Sequence, residues 1–341
     1  MTALLSVRDL YVQYHNAGKT LHAVNGVSLD VQPLQSWGVI GESGCGKSSL
    51  VRSLVHLLPV AGRIAAGSVE FDGSDITRAR GRRLREVRAT GIAFMPQSSF
   101  GALNPVVKIE RQFSDAILAS KVDVVRSQRR QIAGELLAAA GFTDPGRVLD
   151  GYPFELSGGM AQRVAICLVM VRKPRLVVAD EPTTGLDLTT LRRIMDMFVS
   201  LRVSNSQSMV LVTHSLGVVS QYCSHVAVMY GGQIVEHGAV GQVLVSPRHP
   251  YTQALLASVP SAGRPLTPLA GSVPNLEHPP EGCVFQARCP RHQDPRCAAT
   301  RPQLREIELD HYVATFCSAR PDGEREVIQV SSRGDDSELS A

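Results

Sequence analysis

Eight residues, Gly41 to Ser48, read Gly-Glu-Ser-Gly-Cys-Gly-Lys-Ser and fit the spacing G-x-x-x-x-G-K-[ST] of a loop that cradles phosphate. Gly41, Gly44 and Gly46 allow tight bends that turn successive N–H groups inward, with Ser43, Cys45 and Ser49 completing the ring, and the helix that follows adds partial positive charge at its N-terminus. Lys47 suits the β- and γ-phosphates as a mobile cation, and the Ser48 hydroxyl suits Mg²⁺. A pair of carboxylates, Asp180 and Glu181, closes the apolar run Leu176 to Ala179. Asp180 has the chemistry to hold Mg²⁺ through water. Glu181 has the chemistry to orient or deprotonate a water attacking a γ-phosphate. Between these motifs lies Leu156-Ser157-Gly158-Gly159, where a serine and two glycines open a helix whose N–H groups face a phosphate without side-chain obstruction.

These residues need rigid elements behind them. Trp37 to Ile40 reads as a strand entering the loop, and Ser49 to Leu54 as a helix leaving it. Leu176 to Ala179 and Met209 to Thr213 read as strands buried on both faces of a parallel sheet. Before the loop, Leu5-Val7-Leu10-Val12-Tyr14 and Val24-Val27-Leu29-Val31 alternate as paired strands. Ser68 to Gly73 reads as a strand closed by an Asp-Gly turn, and Gly91 to Met95 as another. From Lys108 to Ala140 the pattern is helical, with Ile109, Phe113, Ile117, then Ile132, Leu136 and Leu137 on one face, and Gly141 as the stop. Strands alternating with helices predict an α/β core wound on a parallel sheet, with the ligand at the carboxyl ends of the strands.

Composition sets outer limits. The 341 residues carry 35 Lys+Arg and 31 Asp+Glu, a net charge of +4 that does not demand nucleic acid. The one basic cluster, Arg78, Arg80, Arg82, Arg83, Arg85 and Arg88, fits either a solvated helix face or a phosphate patch. The N-terminus lacks a secretory pattern and no apolar run approaches a membrane span, so the chain is expected in the cytosol. Seven cysteines then read as thiols or metal ligands rather than disulfides.

With Leu156 to Arg163 added to the phosphate loop and the Asp180-Glu181 pair, the chain resembles the ATPase subunits of ABC transporters. That resemblance implies a P-loop NTPase fold of ABC type: a RecA-like parallel-sheet core, an antiparallel β subdomain and a helical insertion at about 98–165, all within an ATPase domain over 1–245. It also implies ATP and Mg²⁺ as ligands and ATP hydrolysis as the activity. Tyr14, or nearby Tyr11, matches the aromatic that stacks on adenine. Gln97 matches the glutamine that touches Mg²⁺ and the attacking water, where membrane subunits dock. Gly185-Leu186-Asp187 matches the loop that crosses to the second ATPase subunit, and His214 the switch histidine at the γ-phosphate. Ser157, Gly158 and Gly159 match the signature that closes over the partner's ATP. Three departures stand out: Pro33 to Ser36 where Gly-Glu is common, Gly185 where alanine or serine is common, and Met160 in place of glutamine, a mark of the peptide branch.

Arg248-His249-Pro250-Tyr251-Thr252-Gln253-Ala254-Leu255-Leu256 resembles the extension of the oligopeptide and dipeptide branch, which includes nickel importers. The extension is expected over 246–320. Within it Cys283, Cys289, Cys297 and Cys317 lie in Pro-rich sequence with little apolar periodicity, so a metal would stabilise its folding. The intervals are wider than zinc pairs, and the pattern resembles relatives that carry a 4Fe–4S cluster; zinc and free thiols are the alternatives. Residues 321–341 are polar and expected to be disordered. The resemblance further implies a second ATPase subunit, a heterodimer in preference to a homodimer, two transmembrane permease subunits, an extracytoplasmic binding protein and a peripheral place at the cytoplasmic face of the inner membrane. Rival readings are a soluble ABC ATPase acting on ribosomes or DNA, and a regulatory subunit that binds ATP without turnover.

Overall fold

Alternating apolar residues fold the start of the chain into β1 (Leu5–Asn16) and β2 (Lys19–Val31), an antiparallel pair whose inward residues are fully buried. The computed structural model describes residues 2–120, 124–183, 187–258, 269, 271–291 and 294–317. The expected disordered tail, 321–341, lies outside the described residues, as do Gly185 and Leu186. After β3 (Ser36–Ile40) and α1 (Lys47–Leu54), β4 (Gly62–Phe71) returns to pair with β1, and β5 (Ser74–Asp75) finishes this four-stranded sheet. Asp72 and Gly73 both take positive φ, 52° and 70°, the geometry of the tight Asp-Gly hairpin.

The arginine run forms α2 (Gly81–Glu86), which leads through a wide turn into β6 (Ile92–Met95). It is mainly a solvated face: Arg82 pairs with Glu86 at 3.1 Å, while Arg83 donates to the Asp75 carbonyl and Arg88 to the carbonyls of Val55 and His56. Helices α3 (Ser99–Ala102), α4 (Ile109–Ala119), α5 (Arg126–Ala139), α6 (Pro145–Asp150) and α7 (Gly158–Met170) follow. Ile109, Phe113 and Ile117 recur at four-residue spacing and bury one stripe of α4 against Ala133 and Leu137 of α5 and Val164 and Cys167 of α7. On α5, Ala133 and Leu137 are fully buried, and Ile132 and Leu136 pack half-buried against the same cluster as expected, at the edge of a cavity of about 560 Å³ that Ile117, Ser120 and Val171 also line.

The remaining elements are β7 (Leu176–Asp180), α8 (Leu188–Ser204), β8 (Ser208–Val212), α9 (Leu216–Tyr222), β9 (His225–Tyr230), β10 (Gln233–Ala239), α10 (Val240–Val243), α11 (Pro250–Ala257), α12 (Arg296–Ala299), β11 (Arg305–Glu308) and β12 (His311–Val313). The eight-stranded sheet runs β11-β12-β10-β9-β3-β8-β7-β6, with β9, β3, β8, β7 and β6 parallel. All residues of β3, β7 and β8 are buried, as the unbroken apolar runs require. Because these strands are parallel, the segments following β3, β6, β7 and β8 emerge at one edge, bringing Gly41, Gln97, Glu181 and His214 to the same side.

The C-terminal extension is less irregular than its sequence suggests. β12 pairs antiparallel with β10, His311 opposite Gly238, so the extension adds two strands to the main sheet. Fully buried His311 places Nε2 2.8 Å from fully buried Glu236 of β10. The other Glu236 contacts are the backbone N–H groups of Arg248 and His249, at 2.7 and 2.9 Å. Removing one partner of such a buried pair costs about 3–5 kcal/mol.

Candidate functional site

The phosphate loop is a ring closed by its own lysine. Lys47 is 6% exposed, and its Nζ donates to the carbonyls of Gly41 and Glu42, each at 2.8 Å, with Cys45 Sγ at 3.7 Å. Gly41 and Gly46 have φ of 150° and 102°, and a methyl at either would overlap a carbonyl, that of Met229 or of Ala23. These two positions accept only glycine without rebuilding the loop. Ser43 and Gly44 are exposed and Cys45 is buried. Gly46 caps α1, whose first turn holds Lys47, Ser48 and Ser49, so the loop delivers its N–H groups and the helix terminus to one place.

Ser48 links this loop to the second motif. Its hydroxyl donates to Asp180 Oδ1 at 2.8 Å across 132 residues of sequence. Asp180 is 1% exposed; its Oδ2 stands 3.2 Å from Arg52 Nη2 as an ion contact but accepts no aligned hydrogen bond. A buried carboxylate oxygen left without a hydrogen bond beside a hydroxyl is a hard oxygen donor set that fits Mg²⁺.

One residue on, Glu181 takes φ 47°, a left-handed conformation that costs a non-glycine residue roughly 1 kcal/mol or more. Its N–H is fixed to the Val212 carbonyl of β8 at 3.0 Å. The bend presents the carboxylate to two other predicted residues: Gln97 Nε2 donates to Glu181 Oε2 at 3.3 Å, and His214 Nδ1 lies 3.6 Å from the same oxygen. The structure thus gathers Gln97, Glu181 and His214, from three different strand ends, around one carboxylate oxygen.

Tyr14 and Tyr11 separate clearly. The Tyr14 hydroxyl donates to Ser49 Oγ at 3.0 Å, next to the loop, whereas Tyr11 lies against Gly26 and Arg301. Tyr14 is the one beside the phosphate site.

Ser157 and its glycines stand apart from this group. Ser157 caps α7, accepting from Met160 N at 3.4 Å, and both it and Gly158 are exposed, with open space where a Gly158 side chain would lie. Asp187 caps α8, accepting from the N–H groups of Thr189 and Thr190, each at 3.0 Å; the Thr190 hydroxyl first, and then these N–H groups, hold its carboxylate below the usual range. Gly159 faces Thr190 in that same turn. No hydrogen bond among the described residues joins Ser157 to the phosphate loop.

The cysteine expectation finds no support in the arrangement of the described residues. Among the described residues no group of three or more His, Cys, Asp or Glu side chains is arranged to hold a metal ion, so the 4Fe–4S cluster expected on Cys283, Cys289, Cys297 and Cys317 has no ligand set here. The four are nevertheless neighbours in one apolar cluster with Tyr230, Tyr251 and Phe285, and none is in a disulfide. Burial, reinforced by the nearby thiols, pushes Cys283 and Cys297 up and Cys289 up to about 11. Thiols that resist ionisation pack as small apolar groups. The segment therefore does build core, because Val284 and Phe285 insert against the aromatic residues of β9 and α11.

Sequence reasoning missed two contacts that tie the extension to the loop. The Glu42 N–H donates to Tyr251 Oη at 2.9 Å, and Arg288 grips the Glu42 carboxylate. The available signal was Glu42 itself, a negative charge inside an anion cradle.

A family model described as ABC transporter matches residues 24–184, and one described as oligopeptide/dipeptide transporter, C-terminal region, matches residues 235–297. The dipeptide transport ATP-binding protein DppD of Bacillus subtilis (strain 168) is 38% identical over 294 residues, covering 85% of this chain and 88% of its own. DppD of Escherichia coli (strain K12) is 37% identical over 305 residues, covering 89% and 93%. The oligopeptide transport ATP-binding protein OppD of Bacillus subtilis is 36% identical over 293 residues, covering 84% and 82%. Among solved structures, the dimeric post-hydrolysis structure of the ATP-binding cassette MJ0796 bound to ADP and Pi superposes with TM-score 0.62 at 23% identity, over 69% of this chain and 98% of that one, a likeness of fold.

Proposed function

The chain belongs to the ABC transporter ATPase family, in its oligopeptide/dipeptide branch, and from that premise we propose that it is the ATP-hydrolysing subunit that powers import of di- or oligopeptides. The observation that carries the catalytic part is the convergence of Gln97 and His214 on Glu181 beside the linked Ser48–Asp180 pair.

Each residue then has a task. The loop from Gly41 to Ser49 receives the triphosphate on its N–H groups, and Lys47 exchanges the loop's own carbonyls for phosphate oxygens. Tyr14 stands where an adenine ring can stack. Mg²⁺ would be held by Ser48, Asp180 and Gln97 and would neutralise charge on the phosphate oxygens. Glu181 orients the attacking water and takes its proton, while Gln97 and His214 fix the carboxylate and meet the γ-phosphate. A strained backbone at Glu181 keeps that carboxylate at the strand end instead of letting it relax into solvent.

Exposed Ser157 and Gly158, with half-buried Gly159, are read as the surface that closes over the ATP of a second ATPase subunit, with Asp187 beside them. A heterodimer is the preferred form and a homodimer the alternative. No helix among the described residues is long and apolar enough to cross a membrane, so the transmembrane path is assigned to two permease partners, with an extracytoplasmic binding protein choosing the cargo. The place of this subunit is then the cytoplasmic face of the inner membrane. Uptake of nickel-type or other small solutes is the alternative cargo. A reading on ribosomes or DNA has nothing specific in its favour, and the match to the peptide-transporter C-terminal region weighs against it.

A 4Fe–4S cluster, or zinc, in the four-thiol pocket is supported by the convergence of those cysteines and opposed by the lack of a ligand arrangement. Iron, zinc and acid-labile sulfide assays on anaerobically purified protein decide it. For the function itself, the complex purified from native membranes should contain a second ATPase chain and two membrane-spanning chains, and its ATPase should respond to peptide with the binding protein. Recovery on ribosomes or DNA instead would overturn the reading.

A further inference from the structure

Glu42 is the second residue of the phosphate loop, and a free carboxylate there would repel the anion the loop is built to hold. The structure neutralises it from far along the chain. Arg288 Nη1 and Nη2 meet Glu42 Oε2 and Oε1 at 2.6 and 3.0 Å, a two-pronged pair, with the arginine side chain 4% exposed. The guanidinium is itself held by the Tyr230 hydroxyl and the Leu269 carbonyl, each at 3.1 Å. The backbone of Glu42 is fixed at the same time, its N–H on Tyr251 Oη at 2.9 Å and its carbonyl on Lys47 Nζ at 2.8 Å. Both Tyr251 and Arg288 belong to the C-terminal extension. Arg288 ends a short turn, Gln286–Arg288, that lies between Cys283 and Cys289.

We propose that Arg288, assisted by Tyr251, is a positioning residue for the nucleotide loop: it cancels the charge of Glu42 and holds that carboxylate toward the extension, so the extension sets the loop's affinity for ATP. This rests on the reading of Gly41 to Ser48 as an ATP site. Mutating the cation leaves a bare carboxylate beside the phosphates; mutating both partners leaves none. The charge argument therefore predicts rescue, which a purely structural role for Arg288 does not.

The test is titration of the full chain with a fluorescent ATP analogue and Mg²⁺, comparing wild type, Arg288→Met, Glu42→Gln and the double variant, with circular dichroism as the folding control. Arg288→Met should weaken binding roughly five- to tenfold, and Glu42→Gln in that background should restore it to within about twofold of Glu42→Gln alone. Unchanged affinity in Arg288→Met, or a loss that Glu42→Gln does not repair, overturns the proposal. Should Arg288→Met not fold, Arg288→Lys carries the same test: a smaller loss that disappears in the Glu42→Gln background, with persistence of the loss counting against it. A wild-type chain that takes no nucleotide would overturn the ATP reading itself.

Discussion

Gln97 donates its side-chain amide to Glu181 at 3.3 Å across 84 residues of sequence, joining the loop after β6 to the strained end of β7. Movement of the segment after β6 must therefore be felt at the carboxylate that acts on water. Gln97→Ala should lower kcat for ATP by about tenfold to a hundredfold, with ATP binding nearly unchanged, because the amide orients the reacting groups and the loop around Lys47 holds the nucleotide. Paired kcat and KM measurements check this; a rise in KM with kcat intact would assign Gln97 to binding alone.

Ser157 is exposed and joined by no hydrogen bond among the described residues to the loop in its own chain. If it closes over a partner's ATP, Ser157→Arg should reduce steady-state hydrolysis by about a hundredfold or more. Equilibrium binding of ATP to the isolated chain should stay near wild type. Lost binding in the isolated chain would mean that the two motifs act within one subunit.

His249 couples stability to pH. It is buried, and desolvation lowers its pKa from 6.5 to about 4, with Glu236 opposing that shift. Its Nδ1 accepts the Tyr251 N–H at 3.0 Å, a role that requires the neutral ring, and the Phe285 ring lies beside it at a tilt of 55°. A folded pKa below the unfolded one means the unfolded chain binds the extra proton. The contribution is therefore fully present above about pH 6.5 and is lost as pH falls toward 4, up to roughly 3 kcal/mol. His237, also lowered to about 4 by burial, acts in the same direction. His249→Asn keeps an acceptor for the Tyr251 N–H and should flatten the loss of stability between pH 6.5 and 4 in urea unfolding. An unchanged slope would remove His249 from the account.

Much of the site was legible because its chemistry is local in sequence. Glycine spacing marked the loop around Lys47, and buried apolar runs marked the strands that end at Asp180 and Val212. Parallel strands then force those ends together, which is why Gln97, Glu181 and His214 meet. What was not legible depends on pairing at long range. The weak apolar pattern after Pro279 hid strands β11 and β12, whose register is fixed by β10 and by the buried Glu236–His311 pair rather than by their own periodicity. The four cysteines were read as ligands, with free thiols as an alternative, because the Pro-rich, weakly periodic sequence around them promised little core. Phe285, Tyr230 and Tyr251, drawn from separate segments, provide the missing core. Spacing placed Ile132 on the packed face of α5, where it lies half-buried, but did not reveal that Ala133 is buried more completely.

The central claim is that Glu181 acts on the water while the loop around Lys47 holds ATP. Steady-state ATP hydrolysis by the assembled complex carrying Glu181→Gln, measured beside ATP binding on the same preparation, tests it most directly. The account predicts a fall in kcat of about a hundredfold to a thousandfold with binding preserved; hydrolysis at the wild-type rate would contradict it.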